Sequence, residues 1–164
     1  MRNLNSKLKQ KSNNKSTLTL FILISIFLIS SNSISYSQSL AYKLATIEKN
    51  GYIKEHDLKV KRFNYLLSEL DNKYLDSKQE IADKTVKGKE ILEEKGVKES
   101  MIKMMEGMNI LNDPNDTYKK YDEYLTIYII LRKDLQSHDE TINSMKESLS
   151  LVGINGLMKA AGLN

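Results

Sequence analysis

Four methionines, Met101, Met104, Met105 and Met108, fall within eight residues. At helical spacing they bring thioethers onto neighbouring positions, the soft ligand set that Cu(I) selects. The same four with Leu111 also make a plain apolar face, for which the adaptable Met side chain is well suited. His138 is the second residue with chemistry to offer. It stands in a row of apolar residues, where a proton gained near about pH 6 would place a charge beside Leu131 and Met145. That makes it either a pH-sensitive register or assembly switch, or a single polar residue that fixes helix pairing. Tyr118, Tyr121, Tyr124 and Tyr128 form a third group, suited to a recognition patch with polar tips or to a core whose hydroxyls reach outward.

Catalysis finds little support among these residues. The chain has two histidines, no Cys and no Trp. It has no Gly-framed Ser and no His or Glu at metal-ligand spacing, so no nucleophile with a base in reach is evident. Pairs such as Asp122 with Glu123 read as solvated helical surface. The expectation is a non-enzyme with no catalytic residues, no cofactor and no metal beyond the Cu(I) alternative.

The elements that must position these residues are helical. Apolar residues recur in two heptad rows, Tyr121, Tyr128, Leu135, Ile142, Leu149 and Tyr124, Leu131, His138, Met145, Val152. Rows held in a seven-residue register call for helices wrapped on one another, so these ten residues form the expected interaction seam, facing a helix of this chain or of a second copy. A weaker seam runs through Val60, Phe63, Leu67, Leu70 and Tyr74, then Ser77, Ile81, Lys84, Gly88 and Ile91. Asp57 can cap its start, and Lys95 with Gly96 supplies its end. Asp113 and Pro114 read as the start of the last long helix, and Gly153 as its stop. The segment Leu125 to Leu131 is apolar on all sides and must be covered all round. Helices are therefore predicted at about 39–50, 57–95, 98–111, 114–152 and 154–162. The class is all-α, with the two long segments folded as a coiled-coil-like antiparallel hairpin and the short helices as accessories.

Residues 1–37 read as a signal peptide: five basic residues, an uncharged apolar run from Leu18 to Ile29, and small Ser35 and Ser37 before a cut near Ser37. An uncleaved anchor is the alternative, although an apolar run of about 12 residues is short for a bilayer. The 25 basic and 21 acidic residues include no acid before Ser37, so residues 38–164, read as one domain, carry a formal net charge of −1. The sequence pI near 9.0 thus describes the leader and is no sign of nucleic-acid binding.

Together these features predict an exported protein, periplasmic or extracellular, that works through protein contacts or self-association. Membrane contact is expected only through the leader or the apolar tail of Leu157, Met158, Ala161 and Leu163. By analogy of shape, with no shared motif, a component of a conjugative type IV secretion apparatus is one setting. A periplasmic holdase-type chaperone is the alternative.

Overall fold

The computed structural model describes residues 39–113, 116–134 and 137–163, and the expected leader lies outside them. Six helices order the described residues: α1 (Leu40–Lys49), α2 (Leu58–Lys73), α3 (Lys78–Glu94), α4 (Met101–Ile110), α5 (Tyr121–Lys133) and α6 (His138–Ala160). The all-α class holds, with no strand among the described residues. None of the described helices is long and apolar enough to cross a membrane.

Both predicted long rods are broken, and for the same reason. The segment expected as 57–95 is α2 and α3, parted where Tyr74 turns extended (φ −110°, ψ 160°) and Ser77 caps α3. The segment expected as 114–152 starts only at Tyr121 and is parted again before His138, where Ser137 caps α6. Each new start is a capping box. The Ser77 hydroxyl accepts from the Glu80 N–H and the Glu80 carboxylate accepts from the Ser77 N–H at 2.8 Å; Ser137 and Glu140 repeat the arrangement. Two backbone donors are satisfied at each, so starting afresh costs little. Ser77→Ala and Ser137→Ala are each expected to lower unfolding free energy by about 0.5–2 kcal/mol, measured by urea denaturation.

Other termini follow the sequence. Asp57 Oδ1 accepts from the Lys59 N–H at 2.9 Å. Gly96 ends α3 at φ +78°, with the Val97 N–H returning to the Leu92 carbonyl. Asp113, expected to cap the last long helix, has another task. Gly153 kinks α6 at φ +66°, and the freed Ile154 N–H donates to Asp113 Oδ2 at 2.7 Å. A Cβ on Gly153 would lie 3.0 Å from that oxygen, so the position suits glycine in both conformation and space.

One core joins the helices. α2 packs on α1, α3 and α4, while α5 packs on α3, α4 and α6, so the all-round apolar helix is covered from within the chain. Gly88, a weak place in the expected seam, is a point of close approach: a Cβ there would meet Met104, Leu125 and Ile129 at 3.1–3.2 Å. Tyr74 stacks edge-on against Tyr121 and Tyr124, with ring centroids 5.3 and 5.4 Å away. Past the kink Ile154 is buried, and Leu157 and Met158 lie against the core, so the tail docks on the bundle.

Candidate functional site

The seam residues lie in the interior of this chain. Tyr121, Tyr124, Tyr128, Met145 and Leu149 are 0% exposed, Ile142 is buried, and Leu131 is half-buried against the core. Val152, at 58% exposure, lies outside it; Leu135 is outside the described residues. Met101, Met104, Met105 and Met108 are all fully buried, filling the space between α4 and its neighbours as an apolar face does. Among the described residues no three His, Cys, Asp or Glu side chains are placed to hold a metal ion.

Where α5 meets α6, the seam turns polar. α5 ends on the basic turn Arg132–Lys133, and the Ser137 cap makes His138 the first residue of α6, facing back toward α5. His138 Nδ1 is 2.8 Å from the Tyr128 hydroxyl, one α5 turn before Arg132. That hydroxyl donates to Glu99 Oε2 at 3.0 Å. The same oxygen accepts from Arg132 Nε at 3.0 Å and ion-pairs with Nη2 at 2.8 Å. The other carboxylate oxygen accepts from the Ser100 N–H. With its one proton committed to Glu99, Tyr128 accepts from His138, which assigns the Nδ1–H tautomer to the neutral ring.

Burial would raise the Glu99 carboxyl, but hydrogen bonds from Arg132, Ser100 and Tyr128, with the Arg132 charge, hold it below the ordinary carboxylate range. Burial pushes the Tyr128 hydroxyl upward, and Glu99 adds to the effect, so the phenol stays neutral. His138 moves down: burial outweighs the opposing charges of Glu99 and Asp139, and Lys103 and Arg132 add smaller lowering effects. Glu99 lies only 3.8 Å from Nδ1, but its charge is already answered by Arg132. Both shifts make acid unfavourable to the fold. The unfolded chain takes a proton on His138 more readily, so stability falls as pH drops below about 6.5, and the loss is complete below the lowered folded value. Glu99 contributes stability above its unfolded pKa, lost as pH falls through its lowered one.

In chemical terms Glu99 is a fixed anion with its lone pairs engaged, and His138 is the one member that can change charge in mildly acid conditions. On its outer side Glu99 borders a cleft of about 540 Å³ between the ends of α1 and α3 and the start of α4. The charges there are largely paired with each other. Lys89 bonds Glu93, and Glu48 accepts from the Ser100 hydroxyl and from the Met101 N–H at the start of α4.

The fourth tyrosine parts from the other three. Tyr118 is 73% exposed in the connector before α5. The Leu75 N–H donates to the Lys119 carbonyl at 2.9 Å, which sets Leu75, 63% exposed, beside it. The neighbouring Lys73 ammonium reaches the carbonyls of Asn109 and Leu111, bringing up Ile110, 55% exposed. The link between α2 and α3, the end of α4 and the link before α5 are thus tied together, and each carries one exposed large apolar side chain. Lys73 is lowered to about 8 by burial and by the charge of Lys119, so its charge is weakened but kept at neutral pH.

Sequence reasoning found His138 and Tyr128 but missed Glu99, Arg132 and the Leu75–Ile110 part of the patch. Glu99 and Arg132 stand in charge-rich stretches that look solvated, and only their meeting across 33 residues sets them apart. No curated protein and no solved structure matches the chain, whereas the MoxZ family model matches residues 43–150.

Proposed function

Because the chain belongs to the MoxZ family across residues 43–150, a span that holds both the polar joint and the exposed patch, we propose that it acts as an exported interaction protein without catalytic chemistry of its own. The observation that carries this reading is that hydrogen bonds tie together the backbone segments bearing exposed Leu75, Ile110 and Tyr118, where α2 and α4 end and α5 begins. Clustered exposed apolar side chains mark contact surfaces, and tyrosine is favoured there. The border of Lys73 and Lys119 suits a partner surface that carries carboxylates around its own apolar anchor. In this reading residues 1–37 direct export and are removed, leaving a chain that begins at Gln38.

The settings weighed from sequence fare differently. A hairpin component of a secretion apparatus and a two-armed holdase both need long projecting rods. The described helices run from 10 to 23 residues, the longest kinked at Gly153. The proposal is therefore a compact contact module, and it does not extend to either assembly.

A photo-crosslinking residue at position 118, introduced in the producing cell, tests this. A discrete adduct is expected at 118 that disappears when Leu75 and Ile110 are changed to Asp, with none from position 94 on exposed α3. If no adduct depends on Leu75 and Ile110, the patch is not a contact surface. Mass spectrometry of the exported chain checks the leader: an N-terminus at Gln38 is expected, and retention of Met1 to Ser37 contradicts it.

A further inference from the structure

We propose that His138 is an acid-released clasp: proton uptake on its imidazole frees the N-terminal half of α6 from α4 and α5 and uncovers the apolar face of Ile142, Met145 and Leu149. Two neighbouring helices hold α6. Its helix packing is chiefly with α5, and its side chains reach α4 at Gly107, where a Cβ would lie 2.5 Å from Ile142 Cδ1 and 3.2 Å from His138 Cε1. That approach leaves little room for water around the imidazole, whose one described hydrogen bond is to Tyr128.

Burial of the ring, set against the charges around it, decides what a proton does there. From α5 comes Arg132, from α4 Lys103, from the link before α4 Glu99, and from α6 itself Asp139. Tyr128 faces the ring edge-on, neutral, at 5.7 Å between centroids. Glu99 is the natural counter-ion, but it is held by two Arg132 nitrogens and the Tyr128 hydroxyl. His138 is also the first residue of α6, where the helix end presents partial positive charge, offset by Asp139 and Glu140 in the same turn. The carboxylates of Glu99 and Asp139 act on an imidazolium more strongly than Arg132 and Lys103 do, but Glu99 is already bonded and the ring is only 16% exposed, so what opposes the charge is the hydration it cannot gain in the packed joint.

The cation gains hydration when α6 lifts away, and the resting structure lowers the ring's proton affinity in keeping with this. Asp113 bonds the Ile154 N–H beyond the Gly153 kink and so anchors the far part of the helix, and release affects His138 to about Val152 first. α2, α3 and α4 pack on one another, and α3 and α4 also on α5, independently of α6, so the rest of the bundle keeps its own contacts.

Amide exchange of the full chain, corrected for intrinsic rate and compared at pH 7.5 and pH 5.0, tests the clasp. Residues 141–149 of the wild type are expected to lose protection several-fold at pH 5.0, while α2 and α4 keep theirs. His138→Asn, whose side-chain N–H can still donate to Tyr128 but cannot titrate, should show no such loss. In a His56→Gln background, which leaves one imidazole, the midpoint of the α6 change must coincide with the His138 ring titration followed by NMR. This second readout stands even if His138→Asn does not fold. Equal loss in wild type and His138→Asn, loss spread evenly over all helices, separate midpoints, or no loss at all each overturn the proposal.

Discussion

Replacing Glu99 by alanine is expected to lower the unfolding free energy by about 3–5 kcal/mol, the range for breaking a buried charge pair from one side. The side chains of Glu99 and Arg132 are only 5% and 11% exposed, so little solvent is at hand to screen what is left. Removing the carboxylate takes a charged acceptor from the Arg132 guanidinium, the Tyr128 hydroxyl and the Ser100 N–H, all of which bond to it. The size of the loss comes from the buried donors that lose this acceptor more than from the attraction itself. A double variant, Glu99→Leu with Arg132→Met, should therefore recover much of it, since a buried pair replaced by apolar groups is often neutral. Chemical denaturation of the three proteins separates the cases: a loss below about 1 kcal/mol for Glu99→Ala would mean the joint between α5 and α6 is not closed by this network.

Met104→Ala should cost about 2–5 kcal/mol, and Met104→Leu less than about 1.5 kcal/mol. Met104 is fully buried, and its terminal methyl reaches within 3.1 Å of where a Gly88 Cβ would stand, so truncation opens a cavity that three helices must close. Leucine keeps most of the volume. A copper role makes the opposite demand, because leucine then removes a ligand as surely as alanine does. Urea denaturation with and without Cu(I), beside a Cu(I) titration against a competing chelator, distinguishes them. Equal stability of wild type and Met104→Leu in both conditions supports a packing role; a Cu(I)-dependent stabilisation that Met104→Leu abolishes would restore the metal reading.

The helical class and most of the core were legible because apolar periodicity is a strong signal: Phe63, Leu67, Leu70, Ile81, Tyr121, Tyr124, Ile142 and Met145 all face inward as the rows require. The rods were misread because the rows continue across the breaks. A helix can stop and restart while its apolar face stays in register, and the face alone does not show the stop. The local signal was present in Ser77-Lys78-Gln79-Glu80 and Ser137-His138-Asp139-Glu140, two capping boxes inside otherwise helical runs. Asp113 was misplaced for a related reason. Its neighbour Pro114 suggests a helix start, but nothing nearby shows that its carboxylate serves the Gly153 kink 40 residues on. Glu99 and Arg132 could not be told from surface charge, since pairing over such a separation is a property of the packed fold. Even the tyrosines were ambiguous: Tyr118 sits three residues before Tyr121, yet a helix boundary at Lys120 puts one outside and the other in the core.

Tyrosine nitration of the folded chain, read residue by residue by peptide mass spectrometry, bears most directly on the claim that the seam closes within one chain while the end of the bundle offers its surface outward. Tyr118 and Tyr52, at 73% and 78% exposure, should be modified readily, and Tyr121, Tyr124 and Tyr128 should be protected until the protein is unfolded. Rapid modification of the last three, or protection of Tyr118 in the isolated chain, would contradict it.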